Sequence, residues 1–170
     1  MNKVEIVLDA DVIIHFSKAD SLSILPEIFP EYRMVVLSIV SNELKGEVKL
    51  QLENMTVLLK TIDTIPFEPQ REMRLEYARL TQRFGKGESA CMAYCRYTNN
   101  VIGSSNLKDI KDYCQQHKVV YLTTIDFLYY AIKRGKMTIH EAHQFIETVV
   151  QKGSRLPMID LNTYVPQVSI

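Results

Sequence analysis

Apolar residues fall in short continuous runs, and between them they recur at helical spacing. Val4–Leu8, Met34–Leu37, Val101–Gly103 and Val119–Leu122 are runs of five residues or fewer, the length of buried strands. A further run, Thr56–Leu59, reads as an edge strand because polar residues and Pro66 soon follow. Between these runs the period changes to that of helices. Val12–Lys18 follows the first strand, and Leu22–Ile28 forms a second short helix ended by Pro30. Ser38 can cap a helix carrying Val40, Glu43 and Leu44, with helical character continuing through Leu52.

The middle of the chain repeats the alternation. Pro69 fits a first helical turn, and Met73, Tyr77, Leu80 and Phe84 make one stripe. Gly85-Lys86-Gly87 ends that helix and permits a reversal. The next helix, Glu88–Tyr97, is apolar on most faces and should lie deep, with Glu88 sharing a face with Cys91 and Cys95. Ser104-Ser105-Asn106 can cap a helix with Leu107, Ile110 and Cys114 inside. Thr123 or Thr124 caps one carrying Phe127, Leu128, Ala131 and Ile132, which stops at Gly135. Thr138 and Glu141 spell a capping box that opens a long helix with Ile139, Ala142, Ile146 and Val149 on one side. Strands alternating with helices predict an α/β fold: a three-layer α/β/α sandwich around a mostly parallel sheet. At 170 residues one domain is expected, with residues 153–170 as an irregular tail.

Six acids change this picture from a fold to a site. Asp9 and Asp11 follow the first strand, Glu43 comes just after the second, Glu88 opens the deep helix, and Asp109 and Asp126 lie in first turns after later strands. In an open parallel sheet the ligand crevice lies at the carboxyl ends of the strands, so five segments deliver carboxylates to one edge. Carboxylate oxygens are hard ligands suited to Mg²⁺ or Mn²⁺, which assist phosphodiester hydrolysis. Without a cation the acids would repel and their pKa values would rise. Each acid alone has a plainer reading, because a carboxylate in a first turn complements the helix dipole. That reading is strongest for Asp126 and Asp11 and weakest for Asp9, which terminates an apolar strand.

Charge and cysteine content add limits. Twenty basic residues balance twenty acidic ones, so there is no overall basic footprint for nucleic acid. Lys86, Arg96, Lys108 and Lys111 flank the expected pocket and could meet RNA phosphates, although solvated charge is the ordinary role of such residues. His15, one turn past Asp11, is expected to be half-exposed and structural. Cys91, Cys95 and Cys114 have no zinc spacing and read as buried thiols of a cytoplasmic protein. The apolar run from Val4 is broken by Glu5, Asp9 and Asp11, against a signal peptide, and no apolar stretch reaches the ~20 residues of a membrane span.

Val7-Leu8-Asp9-Ala10-Asp11, Ser41-Asn42-Glu43-Leu44, Gly87-Glu88-Ser89-Ala90 and Ser104–Asp109 resemble the motifs of PIN-domain proteins, and among them the VapC-type ribonuclease toxins of toxin–antitoxin pairs. The similarity covers nearly the whole chain. The resemblance implies a Mg²⁺- or Mn²⁺-dependent RNA-cleaving site with Asp9, Glu43 and Glu88 as three of its acids, and with an antitoxin and a homodimer as partners. The family's fourth acid directly follows a small residue at a strand end, where this chain has Ser105 and Asn106; Asp109, one turn on, is the expected substitute. Asp11, Ser104, Ser105, Asn106 and Asp126 are expected to support these ligands. Two other readings compete. A phosphohydrolase of the haloacid-dehalogenase type also has Asp-x-Asp after its first strand, but it leaves Glu88 without a role. A PIN fold with a weakened site, acting as a nucleic-acid or protein binding module, is motivated by Ser105 and Asn106.

Overall fold

The computed structural model describes residues 3–170. Five strands form one sheet: β1 Glu5–Leu8, β2 Arg33–Leu37, β3 Asp63–Ile65, β4 Val101–Gly103 and β5 Tyr121–Leu122. All neighbours are parallel and the order is β3-β2-β1-β4-β5. The chain first builds outward from β1 on one side and then crosses to the other. The switch point therefore lies between β1 and β4, where Ile6, Val7 and Leu8 pair with Val101, Ile102 and Gly103.

The helices are α1 Ala10–Lys18, α2 Leu25–Ile28, α3 Ser38–Glu43, α4 Gly46–Glu53, α5 Arg71–Leu80, α6 Lys86–Thr98, α7 Leu107–His117, α8 Thr124–Lys133 and α9 Ile139–Gln151. On one face Phe16 of α1 meets Phe127 of α8 and Phe145 of α9 edge to face, and Phe29 after α2 meets Phe127 as well. On the other face α6 lies against β1, β2 and β4, flanked by α5 and α7. Residues of β1, β2 and β4 are buried between these layers, which is why their sequences are nearly all apolar. The α/β/α sandwich with a parallel sheet is as expected.

Several local expectations are corrected. Thr56–Leu59 is not a strand: Asn54–Leu58 is a π-helical turn that continues α4, and Val57, Leu58 and Leu59 face solvent. The edge strand is the polar Asp63–Ile65, which pairs with Val35–Leu37. Ser38 is the first residue of α3, and its hydroxyl accepts the Phe67 N–H instead of capping. Helix α5 ends at Leu80, before the glycines, and Gly85 is the N-cap of α6. The capping boxes at Thr123 and Thr138 are both formed, the first with Asp126 as its partner. Among the described residues no helix is long and apolar enough to cross a membrane.

Candidate active site

The site begins where β1 ends. The Asp9 N–H donates to the Gly103 carbonyl at 2.8 Å, extending the β1–β4 pairing one residue past the strands. Asp9 is the N-cap of α1, and its Oδ1 accepts the Ala10 N–H at 2.8 Å. Only 6% of Asp9 is exposed. Burial pushes its carboxyl up to about 8, with Asp11 and Glu88 adding like-charge repulsion against the opposing pull of the Ala10 N–H and the Ser104 hydroxyl.

Asp11 faces the loop after β4. Its Oδ1 accepts the Val12 N–H at 2.7 Å and its Oδ2 the Ser105 N–H at 2.8 Å, with the Ser104 hydroxyl at 3.5 Å. Burial still raises its pKa, because those donors only partly offset it. Oδ2 thus holds the β4–α7 loop against α1, while Oδ1 is engaged by the helix's own backbone.

Glu88 enters from the first turn of α6. Burial raises its carboxyl to about 7, with Asp109 and Asp11 adding repulsion and Asn106 relieving some of it. The Asn106 amide nitrogen donates to Glu88 Oε1 at 2.9 Å and to Asp109 Oδ2 at 2.8 Å. One neutral amide therefore clamps two carboxylates that would otherwise separate. This is the part Asn106 takes in place of capping α7, for which no side-chain bond forms.

Glu43, the last residue of α3, reaches the start of α6, where its Oε1 accepts the Gly87 N–H at 2.9 Å. A Cβ built on Gly87 would stand 2.6 Å from Glu43 Oε2, so the glycine makes room for the carboxylate. Glu43 therefore adjoins Glu88 through the chain of α6, and it is exposed where Asp9 is buried.

The structure thus brings Asp9, Asp11, Glu88 and Asp109 into electrostatic contact, with Glu43 at the rim. Among the described residues, no three His, Cys, Asp or Glu side chains stand in a metal-holding arrangement. The donors nevertheless fit a hard divalent cation in kind: they are carboxylates whose burial, together with repulsion between neighbours, disfavours ionisation.

Other expected members lie elsewhere. Asp126, 2% exposed, accepts the Thr123 N–H and hydroxyl at Oδ2 and the Tyr164 hydroxyl at Oδ1, 2.6 Å away. It fixes the start of α8 and the tail, and does not face the acids. Arg96 sits at the opposite end of α6 from Glu88, about 12 Å along the axis at 1.5 Å per residue, and pairs with Glu76 at 2.7 Å. His15 is buried, not half-exposed; burial and Lys18 lower its pKa to about 4, so the ring is neutral at pH 7.

The His15 ring leads to a feature the sequence did not disclose. His15 Nδ1 lies 2.8 Å from Thr124 Oγ1, which accepts the Ser105 hydroxyl at 2.6 Å. Ser105 Oγ in turn accepts the Thr124 N–H at 2.8 Å. Together with the Ser105–Asp11 bond, this network ties α1, α8 and the β4–α7 loop together around the acids. Two small polar residues after strands, Ser105 and Thr124, were a weak signal, because caps use the same types. Neither a family model nor a curated protein matches this chain.

Proposed function

We propose that this protein is an endoribonuclease that hydrolyses RNA phosphodiester bonds with Mg²⁺ or Mn²⁺, of the PIN-domain type. The observation that supports it is the meeting of Asp9, Asp11, Glu88 and Asp109 at the β1–β4 switch point, with the first three carboxyls raised, Asp9 to about 8 and Glu88 to about 7. Asp9, Glu88 and Asp109 would hold the ion, with Glu43 at its edge. When bound, such an ion offsets charge on the scissile phosphate and acidifies the attacking water. Asn106 keeps Glu88 and Asp109 side by side, while Asp11, Ser104 and Ser105 fix the loop that carries Asn106. Lys108 and Lys111 of α7 lie close enough in sequence to Asp109 to meet RNA phosphates beyond the acids. Asp11 is tied to two backbone N–H groups, which disfavours the proton-shuttling part a haloacid-dehalogenase-type mechanism would give it.

The test is cleavage of RNA by the purified chain with Mg²⁺ or Mn²⁺, beside Asp9→Asn and Glu88→Gln. Metal-dependent cleavage lost in both variants is expected, and equal cleavage by all three proteins refutes the proposal. The resemblance extends the proposal to a cytoplasmic toxin restrained by an antitoxin and to a homodimer; growth arrest on expression, relieved by Asp9→Asn, is the expected sign.

A second reading keeps the PIN-like site but makes it a nucleic-acid or protein binding module. It draws on Ser105 and Asn106, which supply hydroxyl and amide groups where a further carboxylate would strengthen cation binding. RNA or protein binding that survives Asp9→Asn, in a protein that binds no Mn²⁺, would favour it.

A further inference from the structure

Beside the acidic crevice, the tail after α9 closes a pocket of about 210 Å³. Its inner wall is formed by Tyr121 of β5, Ile125 of α8 and Leu107 of α7. Leu156, Pro157, Ile159 and Tyr164 of the tail form the outer wall. The wall is preformed, because the Tyr164 hydroxyl donates to the buried Asp126 and the Tyr121 hydroxyl to Gln167 Oε1 at 3.3 Å. Leu161 is buried, and its N–H donates to His143 Nε2, which anchors the turn between the two halves of the tail.

Three properties decide what fits. The lining is mostly apolar with two tyrosines, so it suits a flat ring more than a sugar or a free phosphate. The volume is below the roughly 300–1,000 Å³ of drug-sized ligand sites, so it takes one ring system and not a chain segment. The Arg155 side chain is exposed at the pocket, placing one cation beside an apolar slot. Position decides the rest. Ser105 lines this pocket, and its own N–H holds Asp11, so an occupant sits one residue from the acids.

We propose that this pocket is a nucleobase subsite, which takes the base of one nucleotide flanking the phosphodiester at the acidic crevice while Arg155 meets that nucleotide's phosphate. It rests on the ribonuclease reading for its substrate class. Aromatic walls accept any base face, and the arginine adds attraction for the phosphate. The subsite would make cleavage depend on a base being present at one position near the cut, whichever base it is.

The test uses the full chain with labelled methyl groups, titrated with each of the four nucleoside monophosphates. Shifts at the Leu156, Ile159 and Ile125 methyls are expected, absent with ribose 5-phosphate and abolished by Leu156→Trp. Arg155→Ala, on the surface, should weaken monophosphate binding about threefold to tenfold and leave nucleoside binding unchanged. In cleavage, RNAs carrying a single abasic position should lose at least tenfold at one site flanking the cut, and Leu156→Trp should erase that difference. Methyls that ignore every nucleotide, or that shift only with a leucine-rich peptide, overturn the proposal; the peptide result assigns the pocket to a partner protein. Cleavage indifferent to abasic sites at every position overturns it while leaving the ribonuclease intact. Nucleotide-induced methyl shifts in a protein that cleaves no RNA would instead sink the ribonuclease reading and keep the pocket.

Discussion

Asp9 and Glu76 are buried to nearly the same degree, 6% and 7% exposed, and their carboxyls are pushed in opposite directions. Burial works to raise both. Around Glu76 it is outweighed by the hydrogen bond from Arg79 and by the charges of Arg79 and Arg96, whose guanidinium groups lie 2.9 and 2.7 Å away, so its pKa is lowered. Asp9 has no such partner among the described residues, and its charged neighbours are Asp11 and Glu88. Burial alone therefore does not mark an acid as functional. Glu76 is neutralised from within the chain and pins α5 to α6. The acids at the switch point lack that neutralisation, which a cation from solution could supply.

Exchanging the two acids for their amides separates these roles. Asp9→Asn should lower the RNA cleavage rate at least a thousandfold, about 4 kcal/mol of barrier at 1.36 kcal/mol per tenfold. Glu76→Gln should leave the rate within about twofold and cost about 2 kcal/mol in urea denaturation. Removing one partner of a fully buried pair costs more, but Arg79 is 65% exposed and its share is screened.

Asn106→Ala tests the clamp. With the amide gone, Glu88 and Asp109 repel without relief, so cleavage should fall about tenfold to thirtyfold, or roughly 2 kcal/mol. The pKa of Glu88 should rise above about 7, which carboxyl-labelled NMR can follow. An unchanged Glu88 titration would show that the two bonds from Asn106 do not hold in solution.

Stability against pH sharpens the same contrast. Asp9 and Glu88 are held above their ordinary values of 3.8 and 4.5, so between those values and about 8 and 7 the folded state binds the extra protons. Their effect on stability is most favourable at low pH and is lost as pH rises through that window. Glu76, being lowered, contributes in the opposite sense, and its contribution is lost as pH falls below 4.5. Raising the pH from about 5 to about 8 should therefore destabilise the metal-free wild type relative to Asp9→Asn by at least ~1 kcal/mol, since a tenfold difference in proton affinity between the folded and unfolded states is worth about 1.4 kcal/mol. Melting curves of the two proteins across that range decide it.

Gly87→Ala should have the smallest effect. The added methyl forces the Glu43 carboxylate to move, while alanine offsets part of the cost through helix propensity. Stability should change by less than about 1 kcal/mol, with Mn²⁺ affinity falling a few-fold if Glu43 shares the ion.

The same contrast explains what could be read from the sequence. Strands β1, β2 and β4 were legible because burial on both faces leaves them almost purely apolar. Asp9 stood out because it ends one of them, and Glu88 because its helix is apolar around it. Thr56–Leu59 misled because its apolar side chains face solvent, while the true edge strand, Asp63–Ile65, is set by pairing to β2 and carries no apolar signal. Asp126 and Arg96 sit in plausible local positions, and only the tertiary fold turns them toward Tyr164 and Glu76. The His15–Thr124–Ser105 network joins residues 19 to 109 positions apart, and the tail pocket likewise gathers distant segments, which no local pattern reports.

Calorimetric titration of Mn²⁺ at about pH 8 tests the difference between the two buried acids most directly. Binding to the wild type and to Glu76→Gln, with loss in Asp9→Asn, is the predicted result. Binding that is equal in all three proteins, or absent from the wild type, would contradict the assignment of the acids at the β1–β4 switch point to a cation.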